Sequence, residues 1–336
     1  MHAIELTAPR LDAFRSATLP DPRPPQVGEA LIRLRAASLN FLDVAVATGG
    51  FPVPGFPVVP VTDGAGEVVE VGEGVDGLAV GDRVVPHFMP RWQGGAITPE
   101  GTAAMRGVTL PGSLAEYAVL PASSLVHAPR HLGWEHLAAL PIAATTAWRA
   151  VRTASLGPGK TALLLGTGGV SVFALQFAKA HGARVIVTSS SDAKLDRARL
   201  LGADEGINYR ATPEWDREAL RLTDGRGADL VLETGGADTF ARSLGAVATG
   251  GTVFVIGILS GLRPTIDVLP IIAKGVRVQG NNTGSVADLR EAGAAIETHR
   301  IEPVVDRIFA MDEAADAYAH LAAGGRHFGK LAIAVG

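Results

Sequence analysis

The chain has 336 residues, 30 basic against 34 acidic side chains and no cysteine. At roughly 150 residues per domain this length suggests about two domains, and 47% hydrophobic with 19% charged residues is the composition of a chain that buries a core. A formal charge of −4, without blocks of like charge, argues against a nucleic-acid or anionic-membrane partner; the missing cysteine excludes disulfides, thiolate nucleophiles, iron–sulfur clusters and thiolate-ligated zinc.

The first residues, Met1–Leu6, carry no basic region followed by an apolar stretch, so no signal peptide is expected. Residues 1–124 are punctuated by Gly and Pro. Short β-branched runs at Ala30–Arg35, Gly66–Val71 and Asp82–Pro86 read as strands of an all-β domain. Phe88–Pro111 shows no clear period, and a stretch that long is usually functional or mobile. Its Phe88, Met89 and Trp92 suit either the roof of a site or packing.

From residue 125 strands alternate with helices. Strands are expected at Thr161–Leu165, Val185–Val187, Leu230–Leu232, Thr252–Ile256 and Val276–Gln279, with helical spacing at Val172–Ala178 and Lys194–Leu201. Such alternation implies a doubly wound parallel sheet over residues 125–282. The uncharged window Thr161–Ala178 has the length of a short membrane span. Gly166-Thr-Gly-Gly169, Ser171 and Gln176 interrupt it, so strand, turn and helix describe it better. The tail, 283–336, reads as helices around Asp288–His299 and Glu313–Ala323 and a last strand at Lys330–Val335.

Gly166-Thr167-Gly168-Gly169-Val170-Ser171 follows a strand and opens a helix. Its first glycine permits the tight turn, its second lets backbone approach a pyrophosphate, and the helix N-terminus offers free N–H groups to the phosphates. An NAD site usually has an acid about 20 residues on, at the end of the second strand. Here Ser189, Ser190 and Ser191 stand there, with Asp192 delayed and Lys194 following. The lost acid and gained cation favour NADP. Tyr209 and Arg210, after the third strand, could supply a stacking or hydrogen-bonding wall, and Gly257 is counted with the cofactor set. Ser191 or Asp192 capping the next helix, with Lys194 in water, is compatible with this reading.

These residues resemble the medium-chain dehydrogenase/reductase superfamily, and the similarity extends over nearly the whole chain. It runs through Leu39–Asp43, Val61–Gly66 with Val71–Gly74, Gly81–Val84, Leu114–Tyr117, Thr146–Trp148, the glycine turn, Ile207–Tyr209 and Phe328–Lys330. The resemblance implies an α/β fold class: a GroES-like β domain, completed by the C-terminal tail, plus a Rossmann domain with its doubly wound parallel sheet. In zinc alcohol dehydrogenases of this superfamily three positions supply metal ligands; here they correspond to Asn40, Thr62 and Ile142, which cannot build a tetrahedral N/S site. The expected metal is none. The sequence resembles the zinc-free, quinone-oxidoreductase-like branch, in which residues such as Asn40, Asp43 and the Thr62–Asp63 pair are usual.

Without a Lewis acid, hydride transfer favours acceptors that are already electrophilic, such as quinones and α,β-unsaturated carbonyl compounds. Asn40 is the first candidate to donate to a developing oxyanion or to orient the nicotinamide ribose, although it could equally satisfy a strand end. Asp43, Thr62 and Thr146 complete the catalytic candidates, and Lys330 is counted with the cofactor set. His87, His127, His320 and His327 are scattered without a partner spacing. The expectation is a cytoplasmic NADPH-dependent oxidoreductase, homodimeric through Val276–Gln279, with a small electrophilic substrate. An alcohol or aldehyde dehydrogenase acting without metal, and a non-enzymatic NADPH-binding protein, stay open as alternatives.

Overall fold

A computed structural model describes all of residues 1–336. Fifteen strands follow one another as β1 (His2–Leu6), β2 (Phe14–Thr18), β3 (Glu29–Ser38), β4 (Asp63–Val71), β5 (Arg83–Pro86), β6 (Tyr117–Pro121), β7 (Leu125–His127), β8 (Thr161–Leu164), β9 (Arg184–Ser189), β10 (Glu205–Asn208), β11 (Ala228–Glu233), β12 (Val247–Val255), β13 (Arg277–Gly280), β14 (Val305–Ala310) and β15 (Lys330–Ala334). They divide between two compact units, Met1–Thr145 with Gly284–Gly336, and Thr146–Thr283.

The first unit is built on a seven-stranded sheet in the order β14-β15-β3-β4-β5-β7, with β6 paired to β3 and a separate β1–β2 hairpin. Along β3 the residues Ala30, Ile32, Leu34 and Ala36 are buried, a period of two that places one face on the core. Ser38 lies opposite Asp63 on one side and opposite Ala332 on the other. The ends of three strands remote in sequence therefore meet at one place. The boundary at residue 125 corresponds to no break in this unit. β7 pairs with β5, and helix Trp134–Ala138 packs on β3 and β4, so residues 125–145 stay with the β unit. The division falls inside helix Thr145–Thr153.

Within the aperiodic stretch, Phe88, Met89 and Trp92 are almost fully buried and pack with Leu42, Met105 and Ile142. They are packing residues, and the only regular element there is the short helix Pro99–Thr102. The stretch presses on the segment that leads into β4. Val61 adopts a left-handed φ of +74°, a conformation costly for a β-branched residue. A Cβ added at Gly112 would lie 2.2 Å from the Pro60 carbonyl oxygen.

The second unit is a six-stranded, all-parallel sheet in the order β10-β9-β8-β11-β12-β13. Its first strand is central and the chain winds outward to either side, so the order reverses between β8 and β11. Ligands of doubly wound sheets bind outside the carboxyl ends of the strands at such a switch point. The window Thr161–Ala178 is accordingly β8, a turn and most of helix Gly169–Ala180. No helix is long and apolar enough to cross a membrane.

Replacing Gly112 by Ala forces the added methyl against backbone that is already strained. We expect a loss of about 1–3 kcal/mol, read as a lowered denaturation midpoint. Gly293→Ala, inside helix Val286–His299 where an added Cβ meets nothing within 4 Å, should instead gain about 0.5–1 kcal/mol.

Candidate active site

Asn40 follows β3 and caps helix Phe41–Ala47. The Asp43 carboxylate, one turn in, accepts the Asn40 backbone N–H at 2.7 Å and the Thr62 N–H at 2.8 Å, and the Thr62 hydroxyl donates to it at 3.2 Å. Asp43 is fully buried, and desolvation, with the Asp63 charge adding to it, raises its pKa to about 7 against the pull of its N–H donors. Both carboxylate oxygens are occupied within the unit, so Asp43 ties the helix start to the entry of β4.

The Asn40 amide is wholly engaged. Its Nδ2 donates to Thr62 Oγ1 at 3.2 Å and to Asp63 Oδ2 at 2.8 Å, and its Oδ1 accepts from Lys330 Nζ at 2.6 Å. A primary amide has two N–H donors, and both are spent. Asn40 as a free donor to an oxyanion is therefore corrected: it is the link between Thr62, Asp63 and Lys330.

Lys330 opens β15 and is 4% exposed. Its ammonium donates to the Leu39 carbonyl at 2.6 Å as well as to Asn40, and lies 3.6 Å from Asp63 Oδ2. With its donors directed to these groups, the expectation of Lys330 as a cofactor contact is replaced by a place in this cluster. Burial pushes the ammonium pKa down, opposed by Asp63 and Asp43. Burial likewise pushes Asp63 up, opposed first by Lys330. Asp63 Oδ2 also accepts the Ile142 N–H at 3.3 Å, whereas Oδ1 has no partner.

Sequence reasoning missed Arg106, which is fully buried. Its Nη2 donates to the Gly112 carbonyl at 3.3 Å and to Ser113 Oγ at 3.0 Å, while Nε and Nη1 find no partner. Burial lowers its pKa to about 10, with Asp63 opposing, so it stays charged at neutral pH. Two carboxylates and two cations thus share this interior. His87 is also fully buried, its Nδ1 held between the Met89 N–H and carbonyl, and burial lowers it to about 4; it is a neutral packing residue.

The second unit carries the glycine turn. Gly166 has φ +73°, and a Cβ on Gly168 would meet nothing within 4 Å, which leaves open space in front of the turn. Gly168 caps helix Gly169–Ala180 with no side chain to satisfy its first amides, so the N–H groups of Gly169, Val170 and Ser171 are left without a side-chain acceptor. Thr167 is mostly buried. Ser171 Oγ turns back to the Leu165 carbonyl at 2.7 Å, and Thr234 Oγ1 reaches the same carbonyl at 2.9 Å, joining the turn to the loop after β11. Gly257 faces that loop: a Cβ there would lie 1.8 Å from the Thr234 oxygen, so its glycine is required by chain-to-chain approach.

At the end of β9, Ser189 is buried and Ser190 half-buried. Asp192 accepts from Asn208 Nδ2 at 2.9 Å. Lys194 is half-buried and Tyr209 is 41% exposed; the Tyr209 N–H donates to the Ser189 carbonyl, which sets the two strand ends side by side. Thr146, 4% exposed, is the second residue of its helix, and the hydroxyl of its neighbour Thr145 is buried without a partner.

A doubly wound sheet with an open glycine turn, carried on the same chain as a β unit with a buried polar cluster, defines a two-domain oxidoreductase. Residues 26–130 match the alcohol dehydrogenase GroES-like domain and residues 169–298 the zinc-binding dehydrogenase domain. A Schizosaccharomyces pombe relative described as a zinc-type alcohol dehydrogenase-like protein is 42% identical over 316 residues, 92% of this chain and 91% of the relative. A quinone oxidoreductase of Pseudomonas aeruginosa is 34% identical over 313 residues, 90% of each. A solved structure described as an NAD-dependent alcohol dehydrogenase has a TM-score of 0.89 at 36% identity and covers 100% of both chains. The chain belongs to the medium-chain dehydrogenase/reductase superfamily.

Asp43 makes stability depend on pH with a defined sign. Its native pKa lies above its unfolded value of 3.8, so the native state holds a proton that the unfolded chain has lost. Stability should therefore fall as pH rises from about 4 to about 7. Asp43→Asn cannot titrate and loses an acceptor. In urea melts from pH 5 to 8, its deficit relative to the parent protein should be largest at pH 5 and shrink as pH rises.

Proposed function

We propose that the protein is a zinc-independent, NADPH-dependent oxidoreductase that reduces quinones or α,β-unsaturated carbonyl compounds. The observation that carries this reading is the chemistry of the three positions at which zinc-dependent members would hold metal. Asn40 has spent its amide on Thr62, Asp63 and Lys330, Thr62 offers a hydroxyl already bonded to Asp43, and Ile142 has no side-chain donor atom. No group of three or more His, Cys, Asp or Glu residues is placed to hold a metal ion, and a buried ammonium stands among these positions. This donor set does not suit zinc, whatever the domain and relative names suggest.

An acceptor that no metal polarises must bring its own electrophilicity. Quinones and conjugated carbonyls do so, and the name of the Pseudomonas relative supports the same class. When bound, the reduced nicotinamide supplies the hydride. The amides of Gly169, Val170 and Ser171 would hold its pyrophosphate. Asp192, the carboxylate nearest the end of β9, accepts from Asn208; the Ser189–Ser191 hydroxyls and Lys194 suit a 2′-phosphate. One solved relative is described as NAD-dependent, so the two nucleotides must be compared directly.

A second copy of the chain is proposed to dock at the free edge of β13. That strand ends its sheet, Val278 on it is 43% exposed, and Leu259, Leu262, Leu269 and Ile272 nearby are more exposed still. An open edge bordered by apolar side chains favours pairing with a second edge.

Titration of the intrinsic tryptophan fluorescence should give NADPH an affinity about tenfold above NADH, the worth of one charge-assisted contact, and Lys194→Ala should close most of that gap. The protein, with zinc well below stoichiometric, should oxidise NADPH with quinones or enones and leave simple ketones unreduced. Equal nucleotide affinities, or turnover restricted to alcohols, would reject the assignment. Light scattering should give about twice the 34.7 kDa chain mass, and Val278→Asp should shift it to the monomer.

A further inference from the structure

We propose that the Lys330 ammonium is the fixed cation of the β unit's polar cluster, seated in an oxygen cage of Leu39 O, Asn40 Oδ1 and Asp63 Oδ2 where the Asn40, Thr62 and Ile142 positions converge, and that it fixes which way round the Asn40 amide sits. The inference rests on the metal-free reading above, but not on the identity of the acceptor.

The convergence is read from contacts. Asn40 touches Thr62 and Asp63, and the Ile142 backbone reaches the same Asp63 oxygen. The positions are still gathered as a ligand set would be, although their side chains no longer suit a metal. The ammonium fills the role of positive charge by its own geometry. Its three N–H donors face two oxygens at 2.6 Å and a carboxylate oxygen at 3.6 Å. Asn40 can sit in one orientation only. Exchanging its oxygen and nitrogen would turn NH₂ toward the ammonium and leave Asp63 Oδ2 without its 2.8 Å donor. Lysine suits the place because its charge is compact and its donors rotate, whereas a planar guanidinium is wider and its fork is rigid.

A cation held by oxygens can be replaced by a small free cation, which separates this role from that of a strand-opening side chain. Lys330→Ala should melt several degrees below the parent. Ammonium or methylammonium chloride should restore part of that loss, and equal sodium or tetramethylammonium chloride should not. Absence of amine-specific recovery of the melting temperature overturns the proposal.

If Lys330→Ala does not fold, the parent protein answers the question. The chain has five lysines, so ¹³C,¹⁵N-lysine labelling gives few signals, and Arg variants of the other four identify that of Lys330. A protonated Nζ protected from exchange near neutral pH is expected; a neutral amine or a freely exchanging ammonium overturns the proposal. Stoichiometric zinc in the purified protein would retire the metal-free reading itself. Failure of amine recovery in zinc-free protein would retire the Lys330 role alone.

Discussion

Burying a charge is the constraint on which the β unit depends. Asp43, Asp63, Lys330 and Arg106 are each at most 4% exposed, and an isolated ion in such surroundings carries a penalty of several kcal/mol. The cost is offset only when every charge meets an opposite charge or a set of dipoles. Here Asp43 is served by two backbone N–H groups and a hydroxyl, Lys330 by two oxygens and a carboxylate, and Asp63 by an amide, a backbone N–H and the ammonium. These contacts are made by the end of β3 with the helix Phe41–Ala47 that follows it, the start of β4, the start of β15 and the π-helical turn Leu140–Ala144 that carries Ile142. The cluster therefore favours the register that brings these ends together, the same register that buries the apolar face of β3.

The second unit depends on the opposite condition, backbone polar groups left open. The first amides of helix Gly169–Ala180 lack both an intrahelical acceptor and a side-chain cap. Nearby groups are satisfied internally: Ser171 and Thr234 both bond the Leu165 carbonyl, and Glu233 accepts from Gly235, Gly236, Thr239 and Ser243. The polar groups around the turn are thus satisfied internally, while the turn itself faces open space. Such a surface is preorganised for an anion, because binding requires no donor to be freed first.

Much of this architecture is legible in the amino-acid sequence. Parallel strands and amphipathic helices announce themselves by period, so the strands around Thr161, Val185, Leu230, Thr252 and Val276 fall where the pattern places them, with bounds shifted by a few residues. β10 and helix Trp215–Leu222 give a weaker signal; the first is only four residues long, and its sole fully buried side chain is Ile207. At the site, residue types are readable and directions are not. A family pattern places Lys330 beside a site but is silent on which oxygens its ammonium meets, and the saturation of Asn40 depends on partners 22 and 290 residues away. Arg106 gives no signal at all: a lone arginine in an aperiodic stretch is expected to reach water, and only the packing around it shows that it does not.

The distance along the chain between the two ends of the cluster has a consequence for synthesis. Asn40 and Lys330 are 290 residues apart, and the whole second unit lies between them. At about 5–20 residues per second, a ribosome needs roughly 15–60 s to travel from one to the other. Throughout that interval Asp63 has no lysine partner and β3 lacks the neighbour that β15 provides. The inserted unit has its own core and can fold as it emerges, whereas the unit begun first must be finished last. The nascent chain therefore carries an open sheet edge, beside a carboxylate that still lacks its lysine, for most of its production.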